Sequence, residues 1–210
     1  MRHSFRSTAI AMCLLAAACA DSDMGAEYFE ISEEESALQF YGPGLAGGYR
    51  QFLTGEDQHF VRRTLATYGP QSGEFPFARM YYSETPPNRY FARSLPIEDT
   101  IEQWGWFSDK TVEIGAALET VNAIGRVDFL TLTADGVACV IWLQAFGPAE
   151  GTGVGSRLLN GFYCRGPGSM MTNSEAESIV KLVGHKEYGA VTPPRDWSAA
   201  APPSSLRAAA

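Results

Sequence analysis

Hydrophobic and polar positions alternate most clearly from residue 126 onward. Across Arg126–Thr133, Val127, Phe129, Thr131 and Thr133 fall on one face and Leu130 and Leu132 on the other, the period of two of a strand. Ala134-Asp135-Gly136 offers a tight turn into Val137–Phe146 (VACVIWLQAF). That run is apolar on both faces, so it is expected at the centre of a sheet covered on both sides. The loop GPAEGTGVG then leads to a third strand over Arg157–Arg165. Ser174-Glu175-Ala176-Glu177 has the spacing of a capping box; Ile179, Val180, Leu182 and Val183 give the helix an apolar side, and Gly184 closes it.

The first half is written more weakly. Tyr49–Leu53, Phe60–Leu65, Phe77–Tyr82 and Tyr90–Arg93 are short segments rich in aromatic residues and arginine, expected as strands. Turn signals separate them at Gly42-Pro43-Gly44, Thr54-Gly55, Gly69-Pro70 and Pro86-Pro87-Asn88. Pro96 followed by Ile97, Ile101 and Trp104 has i, i+4, i+7 spacing, which predicts a short amphipathic helix over 96–106. The expected fold class is α+β: a mostly antiparallel sheet with two or more packed helices, a disordered N-terminal spacer and a disordered C-terminal tail.

The ends of the chain read differently. Met1, Arg2, His3 and Arg6 make a basic start, and the apolar stretch Ala9–Ala18 is too short to span a bilayer as a helix, so residues 1–18 are expected to be an export signal. Leu14-Leu15-Ala16-Ala17-Ala18-Cys19 resembles a lipobox, which implies lipidation of Cys19 as the mature N-terminus. Ala18-Cys19-Ala20 also fits ordinary signal-peptidase cleavage, leaving Asp21 first. No aspartate follows Cys19, and by resemblance to lipoprotein sorting this points to the outer membrane. Residues 19–36 form an acidic spacer, 37–188 a single domain, and 189–210 a tail rich in alanine and proline.

Two cysteines remain inside the expected domain. A metal site would need further ligands, yet only His59 and His185 lie outside the leader, and a redox pair would favour C-x-x-C spacing. Cys139 and Cys164 are therefore expected to form a disulfide, as suits an oxidising compartment. Placing them opposite each other on antiparallel strands sets Val140 against Tyr163, Ile141 against Phe162, Trp142 against Gly161, Leu143 against Asn160 and Ala145 against Leu158. The same argument puts Phe129 near Ile141 if the first turn centres on Asp135.

Composition and charge narrow the function classes. The 210 residues are 45% hydrophobic and 19% charged, with 21 Gly and 12 Pro, which excludes a coiled coil, a collagen-like repeat and a wholly disordered chain. The net charge of −8 excludes a general nucleic-acid binder, which needs clustered cations. Seven acids between Asp21 and Glu35, with no base among them, carry most of this charge in the spacer.

Candidate chemistry is sparse. Gly151-Thr152-Gly153-Val154-Gly155 looks like a phosphate cradle but lacks the following lysine and helix, so a hairpin loop is expected. His59, beside Glu56 and Asp57, is the one candidate for base chemistry, without an evident nucleophile. His185 is expected at a helix C-terminus, complementing the dipole. Arg79, Tyr81, Tyr82, Arg89, Tyr90, Arg93, Trp104 and Trp106 form the candidate binding surface, since guanidinium groups beside aromatic rings favour recognition. Core strands with rim arginines are the alternative. No catalytic residue, cofactor or metal is expected.

Finally, Cys139-Val140-Ile141-Trp142 followed by Leu159-Asn160-Gly161-Phe162-Tyr163-Cys164 resembles small bacterial envelope proteins, in which an apolar C-V strand precedes an L-x-G-[FY]-[FY]-C strand and a closing helix. The resemblance implies an exported, disulfide-bearing domain and assigns no activity. The function expected is a non-enzymatic binding or structural domain of a cell-envelope lipoprotein, attached to the membrane by its lipid, with an envelope protein or glycan as partner and no nucleic acid. The alternatives are a periplasmic hydrolase, and a soluble secreted or periplasmic location.

Overall fold

The computed structural model describes residues 27–56, 59–70, 75–91, 96–151, 153–168 and 170–194. The export signal, Cys19, most of the tail and Arg93 lie outside the described residues. Among the described residues, ten strands and one α-helix follow in chain order: β1 (Glu27–Ile31), β2 (Leu38–Phe40), β3 (Arg50–Glu56), β4 (Arg62–Tyr68), β5 (Phe77–Glu84), β6 (Val112–Val121), β7 (Arg126–Ala134), β8 (Val137–Phe146), β9 (Arg157–Cys164), α1 (Asn173–Val180) and β10 (Val183–His185). Eight strands form one antiparallel sheet in the order β1-β3-β4-β5-β9-β8-β7-β6, and β2 and β10 form a separate two-stranded ribbon.

The centre of the sheet is set by hydrophobicity. β8 is buried along Val137–Gln144 because both of its faces are covered. On the first face, Phe52, Tyr68, Met80, Tyr82, Phe129, Val140, Trp142 and Tyr163 pack beneath Leu38, Phe40, Leu45 and the apolar side of α1, namely Ala176, Ile179 and Val180. On the second face, Phe77, Leu130, Leu132, Cys139, Ile141, Phe162 and Cys164 pack beneath Ile97, Ile101, Trp104 and Phe107.

The disulfide between Cys139 and Cys164 is formed, and β8 and β9 pair in the expected register, including Ile141 with Phe162, Trp142 with Gly161 and Leu143 with Asn160. The β7–β8 turn differs by one position. Asp135 and Gly136 are its two central residues, both at positive φ, so Ala134 pairs with Val137 and Leu130, not Phe129, lies opposite Ile141. Phe129 faces Trp142 on the other side of the sheet.

The expected α+β class with two or more packed helices is not what forms. Among the described residues α1 is the single α-helix, and the molecule is a mostly antiparallel β structure. Residues 96–107 form successive 3-10 turns: the amides of Asp99, Ile101, Trp104 and Phe107 each donate to the carbonyl three residues earlier. The Thr100 hydroxyl also takes the Ile97 carbonyl, at 2.6 Å. The apolar anchors Ile101, Trp104 and Phe107 repeat every three residues, which matches a 3-10 turn and not an α-helix.

α1 also starts two residues before the expected box. Thr172 is its N-cap, accepting from the Glu175 amide at 3.3 Å while Glu175 Oε2 accepts from the Thr172 amide at 2.8 Å. Gly184 does not close the helix but lies within β10, and His185 sits in that strand rather than at a helix end. Folding also begins earlier than the expected domain start: Glu27–Ile31, assigned to the spacer, pairs with β3 at one edge of the sheet. At the other end the Val191 amide donates to Gln39 Oε1, so the expected tail is attached at its beginning. Of the strand expected over Tyr90–Arg93, Phe91 forms a bridge with Gly155.

Candidate binding surface

Strand alternation gathers a polar and aromatic grid on the second face, beside the region covered by residues 97–107. The antiparallel registers of β4, β5 and β9 align three rows: Arg63, Ser83 and Leu158; Leu65, Tyr81 and Asn160; Thr67, Arg79 and Phe162. Arg79 and Tyr81, two of the candidate residues, therefore share this face with two residues that the sequence did not single out for the site, Arg63 and Asn160.

Arg63 and Tyr81 are held by their neighbours. The guanidinium of Arg63 lies 4.2 Å from the Phe60 ring centroid and 6.0 Å from that of Tyr81. Phe60 in turn stacks on Phe91 at 6.1 Å. The Tyr81 and Tyr28 hydroxyls share a hydrogen bond at 3.4 Å, which ties β5 to β1 across the face. Burial, then the contact with Tyr28, pushes the Tyr81 phenol well above its ordinary range, so it stays protonated. Asn160 is 5% exposed, and its Oδ1 is buried with no hydrogen-bond partner among the described residues. Arg79 is half-buried, and its Nε is in the same condition. Such orphaned groups are uncommon in protein interiors and mark places where a polar partner can be gained.

The remaining predicted surface residues do not join the grid. Tyr82 alternates to the first face, fully buried, with its hydroxyl donating to Glu84 Oε2 at 3.1 Å. Trp104 is buried edge-on against Phe162. Trp106 borders the grid, stacked 5.9 Å from Phe162, with Lys110 Nζ 4.9 Å from its ring. Arg89 is exposed on the loop after β5, and the Tyr90 hydroxyl donates to Glu150 at 3.4 Å.

His59 is exposed on the β3–β4 connection, and Asp57 lies outside the described residues. Of the glycine-rich stretch, Gly151 and Gly153–Gly155 are described and lie between the antiparallel strands β8 and β9. Among the described residues no group of three or more His, Cys, Asp and Glu side chains is placed to hold a metal. A cleft of about 590 Å³ opens elsewhere, between Pro43, Pro76, Tyr163 and α1, but its arginine, Arg165, is engaged by the Met170 carbonyl and by Glu175.

The grid offers a carboxamide, a phenol and guanidinium groups on an aromatic floor. That set donates to hydroxyl and carboxylate oxygens and stacks on flat apolar surfaces; it contains no activated nucleophile. Asn160 was detectable in principle, because the cysteine register already puts a lone carboxamide on a buried apolar face. Compared with protein-family models, curated proteins and solved structures, the chain matches none.

Proposed function

We propose that the chain is an exported cell-envelope lipoprotein, anchored through Cys19 on the periplasmic side of the outer membrane, and that its β domain is a non-enzymatic module binding envelope glycan. The observation that carries the binding role is the row Leu65–Tyr81–Asn160, where a carboxamide oxygen with no partner among the described residues lies beside a protonated phenol, one row from Arg79. Carboxamide and guanidinium groups on an aromatic floor suit the hydroxyls and carboxylates of a sugar chain. The buried cystine between β8 and β9 supports export, since such bonds persist in oxidising compartments.

Co-sedimentation with purified peptidoglycan sacculi tests the proposal. The wild-type domain is expected to pellet with sacculi, and Arg79→Ala and Asn160→Ala to reduce the bound fraction while remaining folded. A wild-type domain that stays in the supernatant, or variants that pellet equally well, would overturn the glycan assignment.

A further inference from the structure

A second group of buried polar atoms lies on the opposite side of the sheet, around His185. The imidazole is fully buried. Its Nδ1 accepts the Glu187 amide at 3.3 Å, which leaves the ring proton on Nε2, and Nε2 is buried with no hydrogen-bond partner among the described residues. Three aromatic rings enclose it, with centroids at 4.9 Å for Tyr82, 4.7 Å for Tyr188 and 6.3 Å for Phe146.

Charged groups approach this box from β4, β5, β9 and the turn after β10, and each carboxylate is already engaged. Glu84 of β5 pairs with Arg157 of β9 at 2.8 Å and accepts from the Tyr82 hydroxyl. Glu187 of the following turn pairs with Arg62 of β4 at 3.4 Å. The Arg157 guanidinium also lies 4.1 Å from the Tyr188 ring centroid. A second proton would have to enter at Nδ1, directly facing the Glu187 N–H. It would replace a hydrogen bond by two opposed donors and set a cation near Arg62 and Arg157, whose own carboxylate partners are Glu187 and Glu84.

The backbone of His185 organises the chain around it. Its N–H donates to the Gly189 carbonyl, its own carbonyl accepts from the Tyr188 and Gly189 amides, and β10 pairs with β2. The Lys186 amide donates to Ala37, and the Val191 amide to the Gln39 side chain. This turn therefore fastens β2, with the core residues Leu38 and Phe40, to the first face.

We propose that His185 is a proton-sensitive latch: taking up a proton releases segment 185–191 and loosens the β10–β2 ribbon, exposing Tyr82 and Phe146. At neutral pH the imidazole gives this box one acceptor, Nδ1 for the Glu187 amide, and an Nε2–H without a partner among the described residues. Titration is the further property that a plain aromatic ring lacks. Burial holds its pKa down to about 4, with Glu187 and Glu84 opposing and Arg62 and Arg157 reinforcing the shift. The folded state therefore resists a proton that the released segment accepts readily.

Amide hydrogen exchange on the full chain at about pH 7.5 and about pH 5, expressed as protection factors, tests this. Opening of residues 183–191 is expected to grow by up to about tenfold per pH unit below the ordinary histidine pKa. In His185→Phe that acid response is expected to disappear. Equal protection of the wild-type segment at both pH values would overturn the latch, as would an identical acid response in the variant. If His185→Phe does not fold, the NMR titration of His185 in the wild type decides. Protonation that coincides with exchange of the 185–191 amides supports the latch; protonation with the segment still protected overturns it.

Discussion

The two faces of the sheet use the same strands to opposite ends. On β5, Met80 and Tyr82 enter the first face while Arg79 and Tyr81 enter the second. The first face is apolar from Phe52 on β3 to Phe129 on β7, sealed by β2, α1 and β10. The second is apolar only from Phe77 and β9 to β7, beneath residues 97–107, and turns polar over β4 and β5. The difference teaches where stability is held and where it is not. Packing and the cystine occupy the covered regions, so the polar grid is free to carry groups that a core would exclude.

Substitutions should expose that asymmetry, beginning with the first face. Trp142→Ala is expected to destabilise by about 3–5 kcal/mol in urea unfolding, because a fully buried indole leaves a cavity that a sheet cannot close. Its seat is shaped by Gly161, where a Cβ would come within 2.5 Å of Trp142 Cζ2. An equal loss for Tyr81→Ala would erase the contrast between the faces. Replacing both Cys139 and Cys164 by alanine opens a loop of 25 residues and should lower stability by about 3–4 kcal/mol; thermal melts with and without reductant measure it.

Acid should act next, through the first face. With a folded pKa of about 4 against an ordinary 6.5, His185 contributes its full stability above pH 6.5. That contribution falls as pH drops toward 4, by about 3 kcal/mol in all, because the unfolded chain binds the proton first. Hydrogen bonds from Ser32 and Thr172 hold Glu35 and Glu175 below the usual carboxylate range, and Lys181 does the same for Glu177. These carboxylates keep their contribution until the pH falls below 4.5, so unfolding curves at successive pH values separate the two effects.

Arg79→Ala on the second face should change stability by less than about 1 kcal/mol while reducing sacculus binding. Cys19→Ala should leave the melting curve unchanged and move the protein from the membrane fraction to the soluble one. An unmodified Asp21 at the mature N-terminus, seen by intact mass, would remove the anchor from the proposal.

What the sequence disclosed follows the same division. β7, β8 and β9 were legible because burial on both faces leaves a continuous apolar run, and the cysteines fixed one pairing from which the others followed. The one-residue error at Phe129 came from centring the turn on Asp135 alone, where Asp135 and Gly136 share it. β6 carries no core pattern: it is an edge strand, largely exposed, with a bulge between Ile114 and Ala117. β1 was hidden by its acids, because an edge strand needs no apolar alternation to pair. Of the site, Arg79 and Tyr81 were visible as an arginine–aromatic strand. Asn160 was within reach of the cysteine register, but Arg63 required knowing that β4 and β5 are neighbours, a long-range fact that composition does not contain.

The place of β1 gives the molecule a mechanical polarity. It is the outermost strand, pairing with β3 over five residue pairs from Glu27 to Ile31, with the Tyr28–Tyr81 hydroxyl contact as a further tie. Tension arriving through residues 1–26 would meet Glu27 first and peel β1 pair by pair, the weak direction of an antiparallel ladder. The peeling front would then reach Glu33 and Glu34, whose carbonyls are held by Lys186 Nζ at 2.9 and 2.8 Å. Beyond them lies the β2–β10 ribbon, locked to the first face. Loaded from that side, as the proposed anchor would load it, the domain gives way at a compliant edge while β8 and β9, clamped by their cystine, stay closed.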